Sequence, residues 1–361
     1  MKQKKLYTKK VKAIEVDKSS SITNLLKKMS NTGFQGKNLA RTVEVYEKMA
    51  KDKDVTILFG YTGSLSTTGQ WKIINWLIEN NLIDILIPTG ANISEDIVEA
   101  MGNAYWQGSH VADNEFLFKE GANRYYDVYG KESDYLDMTE LIAEFIVTLV
   151  EDYSYSSREF LHLFGKYLSA RKIKSIVATA AENNVPIFCP AIADSPYGDA
   201  ALIARSRGFN LKIDAIKDYV EFMKIGESVQ QTGVVYIGGG VPKDFIQLFA
   251  VTSDLLYKER KVPNRKGGLN RKTIGKLETY YPHRYAIQIT TDSPQWGGLS
   301  GCTFEEAVSW GKEDPAGTMV QCYCEATIAL PILSHALADT KGLRRKKRAL
   351  TRFINKKSGK T

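Results

Sequence analysis

Four apolar runs of strand length recur along this chain, each followed by a glycine-bearing turn and then a helical pattern. They are residues 55–60, 83–87, 185–188 and 233–237, with the turns at 61–69, 88–92, 189–199 and 238–243. Continuous apolar runs, as opposed to alternating ones, mark strands buried on both faces, which is the signature of a parallel sheet. Helices are expected over residues 20–29, 36–51, 70–80, from Glu95 towards Met101 with Ser94 as cap, and over 139–151, 157–169, 172–183, 215–224 and 325–338. Shorter strands are expected at 211–214, 286–289 and 319–323, and residues 104–136 as loop with short elements. The expected fold class is α/β: a single large doubly wound, mostly parallel sheet with helices on both faces.

The chain of 361 residues can bury a large core. No run of eighteen uncharged apolar residues occurs, so no membrane span is expected. Four cysteines (Cys189, Cys302, Cys322, Cys324) form no C-x-x-C pair, and the four histidines have no ligand spacing. We therefore expect a cytoplasmic protein with no metal site.

Net charge is +8, but its distribution matters more than its total. Residues 341–361 hold ten Lys/Arg and no acid, and residues 1–12 hold six lysines. Residues 258–276 add eight Lys/Arg against Glu259 alone. The rest of the chain is therefore net acidic, which suits a cationic small substrate better than nucleic acid. The domain reading is a lysine-rich extension (1–35), one catalytic domain (36–340) with an exposed basic insertion (258–276), and a solvated, disordered basic tail (341–361).

Ligands of open α/β sheets sit beyond the carboxyl ends of the strands. The loop 60–69 offers glycines and hydroxyls ahead of a helix, though not as G-x-G-x-x-G. Thr89 and Gly90 with Glu95 suit a ribose, the small residues allowing close approach and the carboxylate accepting from hydroxyls. Gly238-Gly239-Gly240 permits close approach of a ligand, or forms only a tight turn. Asp194 and Asp199 share a loop and suit a diamine, or one of them caps a helix.

Residues 300–312 read Ser-Gly-Cys-Thr-Phe-Glu-Glu-Ala-Val-Ser-Trp-Gly-Lys. Thr303 and Glu306 have capping-box spacing, Glu306 and Trp310 share a helical face, and Gly311 ends the helix. Lys312 then follows on a loop beside an indole and a carboxylate. Taken alone, this is a capped helix with a dipole-favoured lysine, or an amine placed to form an imine.

The segment Glu306-Ala-Val-Ser-Trp-Gly-Lys312 resembles the deoxyhypusine synthase family, and the likeness extends over residues 36–340. Gly60-Tyr-Thr, Glu95-Asp96, Phe188-Cys-Pro-Ala, Gly198-Asp199 and Gly238-Gly-Gly support it. The resemblance implies an NAD-dependent homotetramer that passes the aminobutyl group of spermidine through a lysine imine. The acceptor is a lysine of a translation factor or, in homospermidine synthases, a small polyamine; a non-catalytic member that binds NAD or polyamine is a further alternative. By position, Lys312 matches the imine-forming lysine, and Trp310, Glu306 and Asp199 match groups that frame the polyamine. Ser64, Thr67, Thr89, Gly90, Glu95, Asp194, Thr291, Gly297, Ser300, Glu325 and Ala326 match NAD-binding positions, and Gly239 joins them from the glycine run. The chain departs from the family at Asp244, where a histidine is usual, and at Leu248, Leu299 and Ser195. Either Asp244 takes over the histidine's handling of protons, or the chemistry differs from the family's.

Overall fold

In the computed structural model the apolar runs become adjacent strands of one parallel sheet. The structure describes residues 9–350 apart from 19, 274, 275, 344 and 349. Its strands are β1 (Val55–Tyr61), β2 (Ile85–Pro88), β3 (Gln231–Ile237), β4 (His283–Thr290) and β5 (Glu313–Tyr323), in the spatial order β5-β4-β3-β1-β2. All four pairings are parallel.

Side chains alternate between the faces, and both faces are buried. Ile57, Phe59, Tyr61, Val235, Ile237, Ile287 and Ile289 enter one apolar cluster, roofed by helices Phe34–Lys51, Trp71–Glu79 and Ala326–Ala338. Leu58, Ile85, Ile87, Val234, Tyr236 and Ala286 enter the other, beneath Ala215–Ile225, Gly240–Val251 and Phe304. This two-sided burial is why the runs lack a polar alternation.

The expected strand at 185–188 is only a single bridge, Leu86 to Ile187, on the free edge of β2. Leu86 N–H donates to Pro186 O and Phe188 N–H to Leu86 O, both at 3.0 Å. Pro186 has no N–H to extend the ladder. Counted with this segment, the strands run third, second, first, fourth, fifth, sixth across the sheet, and the order reverses between β1 and β3.

Several other expectations need correction. Residues 104–131 form a small antiparallel sheet (Trp106–Gln107, Ala122–Tyr125, Val128–Lys131) with a helix, Asn114–Lys119. The helix expected at 139–151 is Glu132–Ile146, with Glu132 and Asp134 in its first turn, where the dipole favours them. Ser94 does not cap the next helix. Its hydroxyl donates to Gly90 O at 3.1 Å, because residues 91–93 already form a 3-10 turn. The basic insertion holds a hairpin, Leu269–Thr273 with Lys276–Tyr280.

The basic tail is docked as far as residue 350, and residues 351–361 lie outside the described residues. Leu343 and Leu350 are buried. Arg345 reaches Asp84 at 2.8 Å, with side-chain exposures of 8% and 3%, and Arg348 donates to Lys53 O at 2.6 Å. Asp84 also accepts from Ile57 N–H at 2.8 Å, so the tail closes the amino ends of β1 and β2.

Candidate active site

The switch between β1 and β3 opens a cleft of about 240 Å³, lined among others by Gly63, Ser64, Gly238, Thr291, Glu325 and Ala326. Three strand ends therefore converge there, those of β1, β3 and β4. Gly238 has φ +71°, and a Cβ at Gly239 would lie 2.4 Å from Ser300 Cα. The glycine run thus does two things: it turns the chain and lets the 297–301 loop pack against it. Gly297 supplies the left-handed residue (φ +68°) that closes that loop's 3-10 turn.

Not every expected NAD-binding residue lines the cleft. Thr67 is buried and its hydroxyl donates to Ser64 O at 3.0 Å, while Thr68 faces the cleft. Glu325 also caps the helix Ala326–Ala338, accepting from Thr327 N–H. Asn92, which the sequence reading missed, organises this corner. Fully buried, it accepts from Leu65 N–H at 3.0 Å and donates to Thr89 Oγ1 at 2.8 Å. It thereby ties the β1 loop to the β2 loop. A Cβ on Gly90 would meet Ser195 Oγ at 2.3 Å, so the loop carrying Asp194 packs on that same corner.

A second group lies beyond β2. Glu95 is buried with Oε2 unpartnered among the described residues, and burial pushes its carboxyl up to about 7 against a hydrogen bond from Tyr125. Tyr105 donates to Glu95 O at 3.0 Å, and Tyr135 to Asp199 at 3.3 Å. Asp199 is not on a loop: Pro196 starts a helix, and the acid falls in its first turn. Among the described residues no hydrogen bond or ion pair links this group to Lys312.

Lys312 belongs to a third group. Thr303 Oγ1 accepts from Glu306 N–H at 3.2 Å, the helix Phe304–Ser309 ends on Trp310, and Gly311 takes φ +78°. That left-handed residue turns the chain so that Lys312 precedes β5, its carbonyl accepting from His283 N–H at 2.9 Å. Lys312 therefore works over a sheet face beside helix Gly240–Val251, not beyond the carboxyl ends with the other loops. Its Nζ lies 2.9 Å from Asp244 Oδ1, 3.3 Å from Gln247 Oε1 and 5.5 Å from the Trp310 ring centroid. The lysine side chain is 14% exposed and that of Asp244 41%. Glu306 and Trp310 are exposed beside it.

A buried polar lattice joins the cleft to this third group. Lys243, fully buried, donates to Gln288 Oε1, Leu299 O and Cys302 O at 3.1, 3.1 and 2.8 Å. Gln288 donates in turn to Gly238 O and Ser300 O, both at 2.9 Å. Burial lowers the ammonium pKa of Lys243 from its usual value. Replacing Gly239 with alanine should force the two backbones apart, costing about 1–3 kcal/mol. A lower Tm in thermal unfolding is the expected readout.

Among the described residues no His, Cys, Asp and Glu are grouped to hold a metal ion, and no helix is long and apolar enough to cross a membrane.

A family model for deoxyhypusine synthase matches residues 24–337. A Methanosarcina mazei protein named probable deoxyhypusine synthase 2 is 45% identical over 331 residues, covering 91% of this chain and 90% of its own. A protein of the same name from Archaeoglobus fulgidus is 44% identical over 325 residues, covering 88% and 98%. A deoxyhypusine synthase-like protein of Chlorobaculum parvum is 34% identical over 329 residues, covering 90% and 88%. In fold, the chain matches a crystal structure assigned as a deoxyhypusine synthase from Entamoeba histolytica, with TM-score 0.62 at 18% identity, covering 94% and 100%. With the match spanning most of its length, the chain belongs to the deoxyhypusine synthase family of transferases.

Proposed function

We propose that this protein is an NAD-dependent aminobutyl transferase, taking its group from spermidine or a similar polyamine and passing it through Lys312 to a lysine of a translation factor. The observation that carries this reading is the setting of Lys312. A half-sequestered amine lies between a carboxylate, an amide carbonyl and an indole in a chain of this family. When bound, NAD would supply a hydride acceptor for oxidation of the donor and a hydride for the final reduction.

Ser64, Thr291, Glu325 and Ala326 line the cleft and would hold that dinucleotide, with Gly239 and Ser300 in the loops packed beside it. The unpartnered Glu95 Oε2 is suited to accept from a sugar hydroxyl, with Thr89, Gly90 and Asp194 at the same corner. Lys312 must give up a proton to attack the oxidised donor carbon. Asp244, at 2.9 Å, is placed to take that proton as the new C–N bond forms. The old C–N bond then breaks, and the diamine fragment leaves with a proton. Trp310 offers a cation–π face, and Glu306 a counter-charge, to the remaining ammonium.

Among the described residues no hydrogen bond or ion pair links Asp199 or Glu95 to Lys312, and Trp106, Phe116, Phe118 and Trp310 are all exposed. Both facts support a homotetramer in which a second copy brings the acidic group to the lysine. A cytoplasmic setting belongs to the same reading, supported by four free cysteines.

Transfer to a small polyamine is the second reading. It is favoured by Leu248, which packs against the phenylalanine-rich cluster where a polar contact is expected. Mass spectrometry of products from spermidine, NAD and either putrescine or the translation factor separates the two. A modified factor supports the first reading, homospermidine the second. No product from either acceptor leaves the binding-only alternative.

A further inference from the structure

We propose that Glu313 is the positioning residue that decides when Lys312 can act as a nucleophile, working through the amide of Gln247. This rests on the reading of Lys312 as the imine-forming lysine. Glu313 is fully buried at the start of β5, directly after that lysine. Its Oε1 accepts from Gln247 Nε2 at 3.1 Å and from the Tyr236 hydroxyl at 3.4 Å, while its buried Oε2 has no partner among the described residues. Gln247 is also fully buried, and its Oε1 lies 3.3 Å from Lys312 Nζ.

An amide has one donating and one accepting end. Donation to Glu313 fixes the carbonyl of Gln247 towards the lysine. Without Glu313 the amide could turn and present its NH2 group to Nζ.

The charged and titratable neighbours are few. From helix Gly240–Val251 come Lys243, Asp244 and Gln247, from β3 Tyr236, from β4 His283, and Lys312 itself. His283 is buried with Nδ1 2.7 Å from Thr232 Oγ1 and Nε2 3.2 Å from Ile246 O. Burial, then the charges of Arg265 and Lys312, hold it down to about 3, so it is neutral. Burial pushes the Glu313 carboxyl up to about 7, against the pull of Gln247, Lys243, Lys312 and Tyr236. Protonated Glu313 adds no charge beside the lysine, so the amine is freed more easily. Ionised Glu313 adds a negative charge and holds the ammonium.

Reductive methylation with formaldehyde and cyanoborohydride reads the free amine of Lys312 directly and needs neither NAD nor a polyamine. The full-length protein is treated across pH 5–10 and the Lys312 peptide quantified by mass spectrometry. The expected wild-type curve bends near pH 7. Glu313→Gln, which mimics the neutral acid, should remove the bend and shift the curve to lower pH by about one unit. A purely structural role would change amplitude or Tm but not the midpoint. If Glu313→Gln folds poorly, the wild-type bend alone decides. Superimposable curves, or no bend in the wild type, overturn the proposal. If the shift appears but no polyamine adduct forms on Lys312, the transferase reading falls instead.

Discussion

Lys312→Ala should reduce aminobutyl transfer by at least about a thousandfold in kcat while leaving the fold and NAD binding in place. The loss is large because, among the described residues, no other amine stands between Asp244, Gln247 and the Trp310 ring; Lys243 is fully buried under three acceptors of its own. The stability cost is small, because Asp244 is 41% exposed and water replaces the lost partner. A pair open to water on its acidic side contributes about 1 kcal/mol. Lys312→Arg separates charge from chemistry. A guanidinium keeps the pairing with Asp244 but stays protonated and forms no imine, so it too should be inactive. Steady-state kinetics together with calorimetric NAD binding check both variants.

Asp84→Ala should destabilise the protein by about 3–5 kcal/mol, because it breaks a buried pair and orphans a backbone donor at once. Arg345 would keep its charge at 8% exposure with its carboxylate gone, and Ile57 N–H would lose its acceptor at the start of β1. For a chain of this size the fall in Tm is about 4–7 °C. Arg345→Ala should cost a similar amount, and the double variant less than the sum, because the two share one interaction. Thermal unfolding followed by circular dichroism measures all three. Independence of the two residues would show that the tail is not pinned by this pair.

β1, β2 and β3 were legible because burial on both faces writes an unbroken apolar run. The run at 185–188 looked the same, yet Pro186 limits it to one bridge. The tail misled for a different reason. Its charges read as solvated, while the two leucines that bury it, and the lone acid at Asp84 that receives it, are ordinary residues in sequence. Lys312 and Asp244 were legible through a motif and a departure from it, and the structure brings their side chains together. Glu313 and Gln247 left no such signal. A glutamate before Asp314 reads as surface; it is buried where it pairs with His283 at the start of β5, ahead of a register shift. Asn92 could have been suspected, since an asparagine in a glycine turn commonly ties backbone groups together.

The central claim is that Lys312 carries the transferred group. Borohydride reduction of the full-length protein with NAD and spermidine, followed by peptide mass spectrometry, tests it most directly. The account predicts a four-carbon amine adduct on the Lys312 peptide, dependent on NAD and absent from Lys312→Arg. An adduct on any other residue, or none with spermidine, putrescine or agmatine, would contradict it.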